Sequence, residues 1–198
     1  MSVELRKGQK VNLEKTGSSM GEIIIDLTWS QPKKKGLFAQ QPQPIDLDLA
    51  CMYELTDGNK GIVQALGNSF GSLTSAPYIS LDGDDRGNDS DTNKETLRIN
   101  GSAVKNIRRV LVYTFIYEGA ANWRDANGIV TVRCPGSHDI IVRMDEYGNN
   151  EAFCAIAMLE NINNETFSVE KVVRFFPAHE ACDRAFGWGM NWKPARKN

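Results

Sequence analysis

Residues 45–55 read Ile-Asp-Leu-Asp-Leu-Ala-Cys-Met-Tyr-Glu-Leu, an alternation of apolar and acidic side chains that runs into a mostly apolar stretch. Successive side chains of a β-strand point to opposite faces, so Asp46 and Asp48 share one face and Ile45, Leu47 and Leu49 the other. Two carboxylates about 6–7 Å apart on one strand repel each other unless donors or a cation neutralise them, so this face is not plain core. Outward from Asp46–Leu55 the same grammar recurs. Short runs rich in Val, Ile, Tyr and Phe, bounded by Gly, Asn, Asp or Pro, predict strands at Val3–Leu5, Lys10–Leu13, Glu22–Trp29, Gly61–Ala65, Thr96–Ile99, Val110–Ile116, Ile129–Arg133, Asp139–Met144, Ala152–Asn161 and Thr166–Phe176. No amphipathic helical pattern of useful length separates them. The fold class is therefore mainly β, a two-sheet β-sandwich with short helical turns and acidic loops, in a single domain over 1–198.

Composition sets the outer limits. With 41% hydrophobic and 24% charged residues in 198, a sizeable core can form. Twenty-three Lys and Arg face 25 Asp and Glu, so a net charge of −2 gives no global reason to expect a nucleic acid or an anionic membrane as partner. The longest apolar stretches fall far short of the ~20 residues that cross a bilayer. Met1–Lys10 lacks the apolar region of a secretory signal, and a cytoplasmic location is expected. Cys51, Cys134, Cys154 and Cys182 are widely spaced without a C-x-x-C, which predicts reduced, mostly packed thiols.

Two segments break the strand rhythm. Gln31–Pro44, QPKKKGLFAQQPQP, predicts a mobile loop whose three lysines are a solvated run. His179–Phe186 predicts one or two helical turns stopped by Gly187, and the aromatic Phe186–Trp192 a last strand or tail packed on the sandwich.

The chemistry concentrates in Leu81–Glu95, LDGDDRGNDSDTNKE, where Asp82, Asp84, Asp85, Asp89, Asp91 and Glu95 face only Arg86 and Lys94. Calcium takes six to eight hard oxygen ligands, and carboxylates, amide oxygens and carbonyls on a Gly-containing loop supply them. Within the stretch, Asp89, Asp91, Asn93 and Glu95 are staggered by one residue, so alternate side chains can aim at one centre. It is not an EF-hand loop: Lys94 stands where the sixth-position Gly belongs, and no bidentate Glu stands at the twelfth.

Other chemistries find less support. There is no H-E-x-x-H, no G-x-S-x-G and no Walker loop. Pro135-Gly136 places Cys134 and His138 on a turn, which favours a packed thiol over a zinc or nucleophile pair. Asp46 with Asp84 as a hydrolytic acid and base ranks last, because crowded aspartates suit a cation better than one raised and one ordinary pKa. A calcium-dependent carbohydrate- or phospholipid-binding module is the alternative from another class, with Lys33–Lys35 as its basic candidate.

Three elements in order resemble the TerD family: Leu5-Arg6-Lys7-Gly8-Gln9-Lys10-Val11-Asn12-Leu13 its opening, Asp46-Leu47-Asp48-Leu49 its D-L-D strand, and Gly83-Asp84-Asp85-Arg86 its turn before an acidic stretch. The resemblance implies a β-sandwich holding Ca2+ between acidic loops, in cytoplasmic proteins of tellurite resistance and stress response without catalytic activity. It points to Asp46, Asp48, Asp84 and Asp85, followed by Asp89, Asp91 and Glu95, as ligands. The Asp89–Glu95 ending departs from the commoner D-G-D-D-E, and Gln31–Pro44 suggests a divergent, TerA-like branch. The implied role is that of a calcium-dependent adaptor or sensor. Its partners would be other proteins of a stress-response or tellurium-resistance complex, a membrane protein among them.

Overall fold

The computed structural model describes residues 2–15, 17, 19–31, 44–83, 92–118, 123–145 and 150–194. Among these, the strands are β1 (Ser2–Glu4), β2 (Lys10–Asn12), β3 (Glu22–Ser30), β4 (Asp46–Leu55), β5 (Lys60–Val63), β6 (Gly71–Ser72), β7 (Ile79–Leu81), β8 (Thr92–Asn100), β9 (Ile107–Glu118), β10 (Ile129–Arg133), β11 (Asp139–Arg143), β12 (Phe153–Ile162) and β13 (Thr166–Phe176). They form a seven-stranded sheet, β1-β11-β10-β3-β8-β7-β6, and a six-stranded sheet, β2-β13-β12-β9-β4-β5. Every pairing is antiparallel except β1 with β11.

Period-two patterning explains the packing. In β3, Ile23, Ile25, Leu27 and Trp29 are buried in the core between the sheets, as are Leu97 and Ile99 of β8. Leu47, Leu49 and Cys51 of β4 and Val110 and Val112 of β9 meet them from the six-stranded sheet. The outer face of that sheet is apolar too: Ala50, Met52, Leu111, Tyr113, Phe153 and Phe176 form a second cluster with Cys182 and Trp188. Helix α2 (His179–Phe186) and the segment after it cover this face, so β4, β9 and β12 read as continuous apolar runs. The seven-stranded sheet instead turns a charged face outward, where Glu4 pairs with Arg143, Asp26 with Lys94 and Arg133, and Glu22 with Arg98.

All eleven predicted strands are present, with boundaries shifted by a few residues. β8 departs furthest. It begins at Thr92 rather than Thr96, pairing Asn93, Lys94 and Glu95 with Trp29, Thr28 and Leu27 of β3. The end of the acidic stretch is therefore strand, not loop. β6 and β7, of two and three residues, are too short to leave a periodic signal, and the four-residue helix α1 (Trp123–Ala126) also went unpredicted. Helix α2 matches the prediction, and Gly187 closes it at φ +63°, a left-handed conformation that glycine adopts without steric cost. Residues 32–43 of the predicted loop lie outside the described residues. Its flanks are joined by the Gln31 side chain, which donates to Ile45 O at 2.9 Å and accepts from Ile45 N at 2.8 Å.

Candidate metal site

β5 pairs with β4 only from Cys51 to Glu54, so among the described residues the first half of β4 keeps an open edge on that side. There the Leu49 N–H donates to Glu95 Oε2 at 2.5 Å. Glu95 belongs to the core-facing row of β8, in the opposite sheet, with Asn93, Leu97 and Ile99. One carboxylate thus ties the two sheets together and lies one peptide unit from Asp48. Asp48 is fully buried and Glu95 is 3% exposed, whereas Asp46 is half-buried at the start of the strand.

Asn93, two residues before Glu95, is 1% exposed, and neither its Oδ1 nor its Nδ2 has a hydrogen-bond partner among the described residues. A buried amide left unsatisfied costs about 1–3 kcal/mol. Its oxygen fits the donor set of a hard cation: carboxylates and an amide carbonyl at the mouth of an acidic segment. Burial above all, and further the Asp48 carboxylate, hold the Tyr113 phenol well above its ordinary pKa. Tyr113 remains a neutral donor, to Gln64 Oε1 at 2.7 Å.

The other predicted ligands divide. Asp82 follows β7, and both its oxygens accept from Arg98 Nε, at 2.6 and 2.8 Å. Asp84, Asp85, Asp89 and Asp91 lie outside the described residues. Among the described residues no group of three or more His, Cys, Asp and Glu side chains is arranged to hold a metal. Asp48 shares its face of β4 with Ala50 and Met52, whereas Asn93 and Glu95 lie in the core-facing row of β8, so among the described residues the predicted ligands do not converge on one centre.

Positions set aside in the sequence find structural roles. Cys134 is buried on a turn closed by Ser137 N to Cys134 O at 3.0 Å, while His138 is exposed. Asp145 accepts from the Lys171 ammonium at 2.8 Å. All four cysteines are free and buried; burial raises the Cys51 and Cys134 thiols, and it pushes Cys182 up to about 12. Sequence reasoning missed the surroundings of His179. Its ring lies 4.9–5.4 Å from those of Tyr113, Phe115, Phe153 and Trp192, its Nε2 is buried without a hydrogen-bond partner among the described residues, and burial lowers its pKa to about 4. Nothing in the sequence said that α2 covers the aromatic face of Tyr113 and Phe115.

Comparison with known proteins agrees with the two-sheet architecture. A crystal structure of a homologue of the telluride resistance protein TerD from Streptomyces coelicolor A3(2) is similar at a TM-score of 0.55 and 16% identity, covering 83% of this chain and 95% of that one. A second crystal structure, of a protein of unknown function, gives 0.52 and 14%, over 83% and 94%. The tellurium resistance protein TerA of Alcaligenes sp is 42% identical over 185 residues, which are 91% of this chain. The chain spans about half the length of that relative, 54%. The TerD domain model matches residues 1–138, well over half of the sequence, and the chain belongs to the TerD domain family.

Proposed function

We propose that this chain is a calcium-binding, non-enzymatic protein of tellurite resistance and stress response, acting as a calcium-dependent adaptor or sensor in the cytoplasm. Its ligands would be Asp46, Asp48, Asn93 and Glu95 from the two strands, with Asp84, Asp85, Asp89 and Asp91 from the acidic segment. The observation that carries the proposal is the buried Asn93 amide with no hydrogen-bond partner among the described residues, beside a carboxylate that already spans the two sheets. Because β4 and β8 belong to different sheets, an ion held by both would brace the sandwich and order the acidic segment. The ordered end would then engage other proteins of a resistance complex, a membrane protein among them. Among the described residues no helix is long and apolar enough to cross a membrane.

Calorimetric titration of chelator-treated protein tests this. Calcium is expected to bind more tightly than magnesium, which demands near-ideal octahedral geometry and gives up water reluctantly. A melting temperature that millimolar calcium leaves unchanged would overturn the proposal.

A further inference from the structure

The basic opening segment has no part in the metal site, and the fold gives it a definite place. Residues 5–9 cross from the edge of one sheet to the edge of the other. Leu5 N donates to Ile141 O at 2.9 Å, Gly8 N to Lys171 O at 2.9 Å, and Lys171 N to Gln9 O at 3.2 Å. Gly8 sits at φ +72°, where other residues are strained, and a bond from Gln9 N to Arg6 O closes the turn. Between this turn, β13 and the end of β11 opens a cavity of about 480 Å3, lined by Glu4, Leu5, Arg6, Lys7, Asp145 and Lys171.

Lys171 is the anomaly. It occupies the core-facing row of β13 with Phe167, Val169 and Val173, where a hydrophobe is expected, and it is 3% exposed. Its ammonium makes one hydrogen bond among the described residues, to Asp145 at 2.8 Å. An ammonium has three donors, so two remain for the cavity it lines. The Arg6 guanidinium has no ion-pair partner among the described residues. Glu4 is paired with Arg143. Burial would raise the pKa of Asp145, but Lys171 foremost and Arg143 behind it bring it below its ordinary value, so it stays ionised. Among the described residues that line the cavity, Arg6, Lys7 and Lys171 face Glu4 and Asp145, an excess of one positive charge in a chain whose net charge is −2.

We propose that this cavity binds a small organic phosphate, its phosphoryl oxygens on the Lys171 ammonium and on Arg6, with Lys7 at the rim. Arginine's planar fork matches an oxyanion with two parallel hydrogen bonds, and a buried lysine adds a point charge where water screens little. The volume falls in the range of about 300–1,000 Å3 typical of small-molecule sites, so it holds the organic body as well as the anion. This site shares no residue with the proposed calcium site, and the two stand or fall separately.

The test is a titration of the full chain with phenyl phosphate and, in parallel, inorganic phosphate, read by amide chemical shifts and calorimetry at low salt. Saturable shifts centred on Arg6–Gln9 and Lys171 are expected, with phenyl phosphate the tighter ligand. Arg6→Ala is expected to weaken binding roughly tenfold or more, the worth of a charged hydrogen bond. Lys171→Met, which keeps the aliphatic stem, is expected to abolish binding. Should that variant fail to fold, the exposed pair Arg6→Ala with Lys7→Ala decides alone. Shifts scattered over unrelated lysines, equal affinity for the two probes, or unchanged binding in the Arg6 and Lys7 variants would overturn the assignment.

Discussion

Glu95 shows what a single residue does in this fold. Its carboxylate accepts a backbone donor from the facing sheet, and Glu95→Gln keeps an acceptor there while removing the charge. In chelated protein the change should therefore be mild, because the Leu49 N–H keeps its acceptor. Calcium affinity, read by calorimetry, should fall by about tenfold or more, roughly 1.4 kcal/mol. His179 sets a pH dependence. Its folded pKa is about 4, against about 6.5 unfolded. Between these values the unfolded chain binds a proton that the folded chain refuses, so stability falls as pH falls through this window. His179→Phe, an aromatic ring inside an aromatic box, should flatten that limb of a plot of urea midpoint against pH. Asp26 acts lower on the scale. Burial would raise its pKa, but Thr96, Lys94 and Arg133 together bring it below its ordinary value. Its contribution is complete above the unfolded pKa of about 3.9 and is lost as pH falls through the folded one. The alternation around Asp46 and Asp48 was legible from sequence. The part played by Glu95 was not, because the polar Asn93-Lys94-Glu95 interrupts the apolar alternation of β8 and its partner Leu49 is 46 positions away.

Helix α2 and the chain after it make a covering element with little regular structure of its own. Asp183 organises it, accepting from Gly189 N at 2.7 Å, Met190 N at 2.9 Å and Trp192 Nε1 at 2.9 Å. Trp188 fastens it: its Nε1 donates to Tyr53 O at 3.2 Å, and the Arg109 guanidinium lies 3.8 Å over its ring. Trp188→Ala is expected to cost about 3–5 kcal/mol in urea unfolding, the range for a large buried aromatic. Asp183→Asn, which cannot accept all three bonds as a charged group does, should cost less than half of that. The helix and its glycine stop were readable from local signals; the face it covers was not, because irregular segments carry no period. Replacing residues 32–43 with a short Gly-Ser linker should leave melting temperature and calcium affinity nearly unchanged, since loop length carries a small entropic cost.

For the whole molecule, the question is whether one ion joins two sheets. If calcium binds only the folded state, stability rises by about 2.7 kcal/mol at a hundredfold excess over Kd. Asp48 and Glu95 come from opposite sheets, so Asp48→Asn and Glu95→Gln should be non-additive in calcium affinity by roughly 0.5–3 kcal/mol, as groups sharing a partner are. Strict additivity would mean two independent contributions and no brace. Strand punctuation was enough to read the two-sheet class. The pairing of β4's edge with Glu95 arises from strand order, which alternating hydrophobicity does not encode.

The four buried thiols make the protein its own stopwatch. Cys182 lies on the buried face of α2, in the cover itself, whereas Cys51 and Cys154 lie between the sheets. A thiol-reactive dye can label them only when the structure opens, so labelling rates rank those openings by free energy. Cys182 should react at the pace of cover detachment, and Cys51 and Cys154 only at that of sheets coming apart. Calcium would slow the second clock and leave the first running.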